Sequence, residues 1–154
     1  MSSPWVDTRI LIVGGAGFVG SNLTVELLKE GVKKVVIVDN FLSSEPENIP
    51  QSSRVLFWEG SIADDKVLDK VEDQYDFIFH LATYHGNQSS IHDPLADHEN
   101  NLLTTLKLFT RLRDSKRIRK VIYSGAGCAV AKKTFDDAEA TSEDAPVSLD
   151  MDSP

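Results

Sequence analysis

Gly14, Gly17 and Gly20, three residues apart in RILIVGGAGFVG (residues 9–20), and Asp39 further on have types and spacing suited to binding an anionic nucleotide. Where an apolar run ends in glycines and helix-forming sequence follows, the first amides of the helix have no intrahelical partner. The helix dipole is positive there, so the place attracts phosphate. In this G-x-x-G-x-x-G spacing, Gly14 allows the tight turn, Gly17 lets backbone approach a pyrophosphate, and Gly20 lets the helix pack closely on a sheet. Asp39 follows Gly20 by 19 residues, near the roughly 20 expected for the acid that accepts from an adenosine ribose. A carboxylate there repels a 2′-phosphate, and no arginine or lysine follows before Arg54, so NAD is favoured over NADP. The plainer alternatives are a ligand-free glycine turn and an Asp39 that only caps a loop.

The elements that must position these residues follow from periodicity. Ile10 to Val13, Lys34 to Val38, Val55 to Trp58, Phe77 to Leu81 and Lys120 to Ser124 are short apolar runs of the kind that form strands buried on both faces. Between them, Val19, Leu23, Leu27 and Leu28 recur at helical spacing before a stop at Gly31. Residues 64–73 read as a short amphipathic helix, and a longer helix runs from Pro94 to Arg113. Residues 41–53 and 84–93 read as loops. The alternation predicts an α/β fold, a Rossmann-type doubly wound parallel sheet in the order 3-2-1-4-5. Ligand then lies beyond the strand C-termini, where Gly14, Asp39, Ser61, Ala82 and Ser124 converge. On the 94–113 helix, Leu95, Leu102, Leu103, Leu106, Leu108, Phe109 and Leu112 cover more than one stripe. Part of it therefore faces a dimer partner or another segment of the same protein.

Composition narrows the partners. With 154 residues, 41% apolar and 26% charged, the chain suits one domain with a real core. A formal net charge of -8 argues against nucleic acid or an anionic membrane as partner. The N-terminus lacks a leader pattern and no apolar run approaches a membrane span, so a soluble, cytoplasmic protein is expected. Cys128 is the only cysteine, which rules out an intrachain disulfide and a cysteine-based zinc site and suggests a small buried residue. Among His80, His85, His92 and His98, the last two are six apart and share no helix face. No metal site is expected, and His80 reads as a core residue at a strand end. The basic run of residues 111–120, RLRDSKRIRK, reads as cations complementing a helix C-terminus.

Several ordered motifs now make the chain resemble the extended short-chain dehydrogenase/reductase family, and within it the NAD-dependent nucleotide-sugar epimerases and dehydratases. GGAGFVGSNL is similar to the family's glycine loop, and VDNFLSS with Asn48-Ile49 to its V-D-N-L-S-S and N-I. HLAT (80–83) is similar to H-L-A-A, and the segment from Ser90 places Pro94 and Asn101 on family positions. KVIYSGAG stands where the family has a strand ending in a serine cluster. The resemblance implies NAD held by Gly14, Gly17, Phe18, Val19, Asp39, Asn40, Ser61, Ile62, Leu81, Ala82, Thr83, Asn101 and Ser124, with Ser61 replacing an adenine-contacting aspartate. Thr104 replaces a helix glycine, and Ala126 stands at the catalytic Ser/Thr position, leaving Ser124 or Cys128 as substitutes for the third catalytic group.

The family chemistry is transient oxidation of a sugar carbon. The tyrosine of a Tyr-x-x-x-Lys pair takes a hydroxyl proton while hydride passes to NAD, and the lysine lowers the tyrosine pKa. Here Tyr75, Tyr84 and Tyr123 are followed four residues on by Phe79, Gln88 and Gly127, so the pair is absent. In the family Ser-Pro precedes that tyrosine, and the chain closes on Ser153-Pro154, so the resemblance implies a chain incomplete relative to the family and stopping one residue before its catalytic tyrosine. The implied organisation is a tail (1–8), an NAD-binding domain (9–133), and an acidic loop or tail (134–154) leading to the missing catalytic and substrate-binding half. The expected function is the NAD-binding segment of an epimerase or dehydratase for a UDP-hexose or UDP-hexuronate, homodimeric when intact and inactive as this chain alone. The alternative is a non-catalytic dinucleotide-binding or sensing module.

Overall fold

The computed structural model describes residues 3–84, 87–125, 142 and 144. Five strands, β1 Arg9–Val13, β2 Lys34–Asp39, β3 Val55–Glu59, β4 Phe77–His80 and β5 Lys120–Tyr123, form one sheet in the order β3-β2-β1-β4-β5. Every pairing is parallel, with Ile10 opposite Val35 on one side and Phe77 on the other. This is the doubly wound Rossmann-type order expected from the alternation.

β1 shows why the runs are apolar throughout. Leu11 and Val13 face a core layer with Val36, Val38, Ile78, Leu108 and Leu112. Ile10 and Ile12 face the other layer, with Leu27, Val32, Val35, Ile37 and Phe79. Successive side chains point to opposite faces, so a strand covered by helices on both sides needs no polar residue. Helix α1, Phe18–Lys29, buries Gly20, Thr24 and Leu27 against the second layer. Helix α5, Thr104–Leu112, buries Thr104, Leu108 and Leu112 against the first.

Three stretches depart from the expected elements. Helix α2 is limited to Asp65–Leu68, because Arg111 from α5 takes the carbonyls of Asp69 and Val71 that a continuing helix would use. Within the expected 84–93 loop, Asn87–His92 forms helix α3, and Ser90 Oγ donates to Asp97 Oδ1 at 2.7 Å across the Pro94 junction. The expected 94–113 helix is α4, Pro94–Asp97, then a π-helical stretch, His98–Leu103, then α5. The Asn100 and Asn101 carbonyls of that stretch accept from the Thr104 and Thr105 hydroxyls of α5, both at 2.7 Å, in competition with the backbone ladder. The basic run divides: Arg111 lies in the last turn of α5 and Arg113 at its C-cap, as expected, whereas Arg117 and Arg119 pair with the buried Asp76.

Candidate dinucleotide site

The glycine turn joins β1 to α1 at the C-terminal edge of the sheet, and its glycines meet different constraints. Gly14 has φ of 82°, and a Cβ there would lie 2.5 Å from the Ala82 amide nitrogen. It is what lets the turn sit against the chain leaving β4. At Gly20 a Cβ would meet the turn backbone at 2.6 Å, whereas at Gly17 the one neighbour among the described residues is Gly14 O at 3.4 Å. Gly17 is therefore the position whose missing side chain leaves room for something other than this chain.

Gly17 is also the N-cap of α1 and supplies no side-chain cap, and the first turn holds no acid. The amides of Phe18 and Val19 accordingly open onto the cleft without intrahelical acceptors. Beside them the Phe18 side chain is 84% exposed and Val19 60%, so apolar area next to an anion-attracting helix end stands uncovered.

Asp39 closes the neighbouring strand. Its carboxylate is buried and accepts from the Ala16 amide at 2.9 Å, the Phe41 amide at 2.9 Å and the Ser44 hydroxyl at 2.8 Å. A carboxylate has about four lone-pair sites, so one remains for a donor beyond the described residues. The loop-capping and ligand-binding alternatives for this residue are thus compatible. Arg54 is no candidate for a 2′-phosphate, because its guanidinium caps the other end of α1 through the Leu28 and Val32 carbonyls at 2.8 and 3.0 Å.

One cleft gathers these groups. It is lined by Gly14, Gly17, Phe18, Val19, Asp39, Asn40, Ser61, Ile62, Leu81, Ala82 and Thr83. Asn101 lies behind it: its Oδ1 accepts from the Tyr84 amide at 2.7 Å and its Nδ2 donates to the Tyr84 carbonyl at 3.2 Å and to Asp97, holding the segment after β4. Its neighbours Asn100 and Thr104 line the cleft instead. Ser124 follows β5, with its amide donating to the His80 carbonyl at 3.3 Å, and is not part of the lining. Cys128, His85 and Ala126 lie outside the described residues, as do all but residues 142 and 144 of the acidic segment. Leu42, Ser43 and Ser44 line the cleft too. They belong to the VDNFLSS segment, to which the sequence reading assigned no contacts beyond Asp39 and Asn40.

His80 ends β4 beneath this edge with its ring buried. The Thr105 hydroxyl has given its proton to the Asn101 carbonyl, so at 3.1 Å from His80 Nε2 it acts as acceptor and fixes the Nε2–H tautomer. Among the described residues the buried Nδ1 has no partner. Burial lowers the pKa of His80 to about 4, so the ring is neutral at pH 7, packed edge-on to Phe109 and Tyr123.

The chain is similar to known proteins in sequence and in fold. The chain is 33% identical over 111 residues to a UDP-glucose 4-epimerase of Haemophilus influenzae, an alignment covering 68% of this chain and 32% of that protein. The chain spans about a third of the length of the curated relatives it matches. Among solved structures, the Bordetella bronchiseptica enzyme WbmF in complex with NAD+ superposes with a TM-score of 0.79 at 55% identity, covering 88% of this chain and 42% of that one. The same enzyme with NAD+ and UDP gives a TM-score of 0.78 at 56% identity, covering 87% and 40%. Among the described residues no helix is long and apolar enough to cross a membrane. Residues 10–150 match the NAD dependent epimerase/dehydratase family, and the chain belongs to it.

Proposed function

We propose that this chain binds NAD in the cleft at the C-terminal edge of its sheet, as the cofactor-binding part of a nucleotide-sugar epimerase or dehydratase. The observation that carries the reading is the meeting of uncapped α1 amides, a Gly17 with room beside it and the remaining lone pair of Asp39 along one edge. The amides suit the pyrophosphate, and Asp39 suits one ribose hydroxyl while its charge disfavours a 2′-phosphate. Leu81, Ala82 and Thr83 would border the nicotinamide half, and Ser61 and Ile62 the adenine.

Bound NAD would supply the hydride acceptor for oxidation at a sugar carbon. This chain contributes binding and orientation. It has no Tyr-x-x-x-Lys to move the hydroxyl proton, and so would not turn over alone. A UDP-hexose or UDP-hexuronate is the proposed substrate class of the whole protein, supported by the UDP-glucose 4-epimerase relatives and the UDP-bound neighbour. The uncovered Leu95, Leu102, Leu106 and Phe109 support a homodimer through the α4–α5 face.

Titration calorimetry tests the core of the proposal. NAD should bind and NADP should bind far more weakly, while Gly17→Val should keep the melting temperature and lose NAD binding, since its branched side chain would occupy cleft space. Equal binding by Gly17→Val would remove the pyrophosphate assignment.

A further inference from the structure

We infer that Asn48 is a positioning residue for the pyrophosphate, acting through Ala16; the inference rests on the NAD-binding reading of the cleft. The turn Gly14-Gly15-Ala16-Gly17 has one side chain, the methyl of Ala16, which is fully buried. Three glycines in four residues give a backbone with little intrinsic preference for one conformation. Something outside the turn must hold it, and two side chains do so at the same residue. Asp39 Oδ2 accepts from the Ala16 amide at 2.9 Å. Asn48 Nδ2 donates to the Ala16 carbonyl at 3.0 Å, across 32 residues of sequence.

The two anchors grip consecutive peptide planes. Asp39 fixes the plane between Gly15 and Ala16, and Asn48 fixes the plane between Ala16 and Gly17. Because each peptide is planar and trans, holding the Ala16 carbonyl also sets the direction in which the chain enters Gly17, the N-cap from which the Phe18 and Val19 amides emerge. Asn48 is itself held in place. It ends a turn of 3-10 helix, Pro46–Asn48, whose following residue Ile49 packs against the core layer containing Ile37. The stretch that begins at the last residue of β2 thus carries both Asp39, which has a lone pair for the ribose, and Asn48, which shapes the turn that receives the phosphates. One segment couples the two halves of the cofactor site.

The test compares ligands with and without the pyrophosphate. In the 154-residue chain, Asn48→Ala should weaken NAD and ADP binding by the same factor, about three- to tenfold for the loss of one partly exposed hydrogen bond. Adenosine affinity, measured by ligand-observed NMR, should be unchanged, and the melting temperature should fall by no more than a few degrees. Asn48→Asp keeps the shape of the side chain but cannot donate to a carbonyl, so it should bind NAD no better than Asn48→Ala. An Asn48→Asp chain with wild-type affinity would show that shape alone matters and overturn the inference. So would an adenosine loss equal to that for ADP, which would place the role of Asn48 in the adenosine loop. A wild-type chain that fails to bind NAD would overturn the functional reading itself, and the proposed role with it; wild-type binding matched by Asn48→Ala would overturn the positioning role alone.

Discussion

The two ends of the sheet each bury an aspartate and use it in opposite ways. At the N-terminal end Asp76, before β4, accepts from the Arg9 amide at 2.9 Å and pairs with Arg117 and Arg119 at 3.3 and 3.4 Å. Burial alone would raise its carboxyl, but the Arg9 amide and the two arginines outweigh that and hold its pKa below the usual carboxylate range. Trp5 seals the same end, its ring 4.7 Å from that of Phe77. At the C-terminal end Asp39 accepts from backbone amides and one hydroxyl, and among the described residues it has no cation partner and a lone pair to spare. One end is closed by charge matched within the chain. The other is organised by neutral donors and left open, which is the condition for a site that takes an anionic ligand.

The largest expected effect breaks the open end from within. Gly14→Ala forces a side chain into the left-handed region and drives its Cβ toward the Ala82 backbone. Strain and overpacking together should cost about 4 kcal/mol in urea unfolding. A cost near zero would mean that the turn does not press on the β4 exit.

His80, just below that edge, gives the next effect through pH. Its folded pKa of about 4 lies below the ordinary 6.5, so the unfolded chain takes up the proton first. The stability held by the neutral ring is complete above pH 6.5 and is lost as the pH falls toward 4, by up to about 3 kcal/mol. His80→Phe, among Phe109 and Tyr123, should flatten the acid side of the stability profile in that window. An unchanged profile would show that the ring does not titrate as its burial requires.

Asp76→Ala separates the two ends. It strands the part-buried Arg9 amide and removes the partner of two arginines, and should cost about 2 kcal/mol near neutral pH. Because the depressed carboxyl contributes only while ionised, the difference from wild type should shrink as the pH falls through the carboxylate range. NAD affinity should not move. Asp39→Ala should do the reverse of this last point and reduce NAD affinity.

These contrasts also show what the sequence could say. β1, α1 and β2 were legible because burial on both faces demands unbroken apolar runs and the glycines mark the turn between them. The helix at Asn87–His92 was not, since it depends on Ser90 reaching Asp97 rather than on an apolar period. The π-helical stretch was equally silent. Its wider turn shifts the helix face, so Asn100 lines the cleft and Asn101 turns to Tyr84. Arg117 and Arg119 read as helix-end cations because Asp76, their partner, is 41 and 43 positions away and is brought to them only by pairing of β4 with β5. Asn48 stood in the sequence as a motif match without a task. Its contact with Ala16 exists only once β2 lies beside β1.

The smallest effect tests how the closed end is held. Arg119 spreads over the Phe77 ring at 5.8 Å and reaches Asp76, but its side chain is 59% exposed. Water and salt screen such a charge, so Arg119→Ala should cost less than about 1 kcal/mol, and less again in high salt. Removing it in the Asp76→Ala background should cost still less, because only the stacking on Phe77 is left to lose. If the arginine cost as much without Asp76 as with it, stacking rather than charge would hold the closed end. The contrast between a charge-matched end and a neutral, open one would then rest on Arg117 and the Arg9 amide alone.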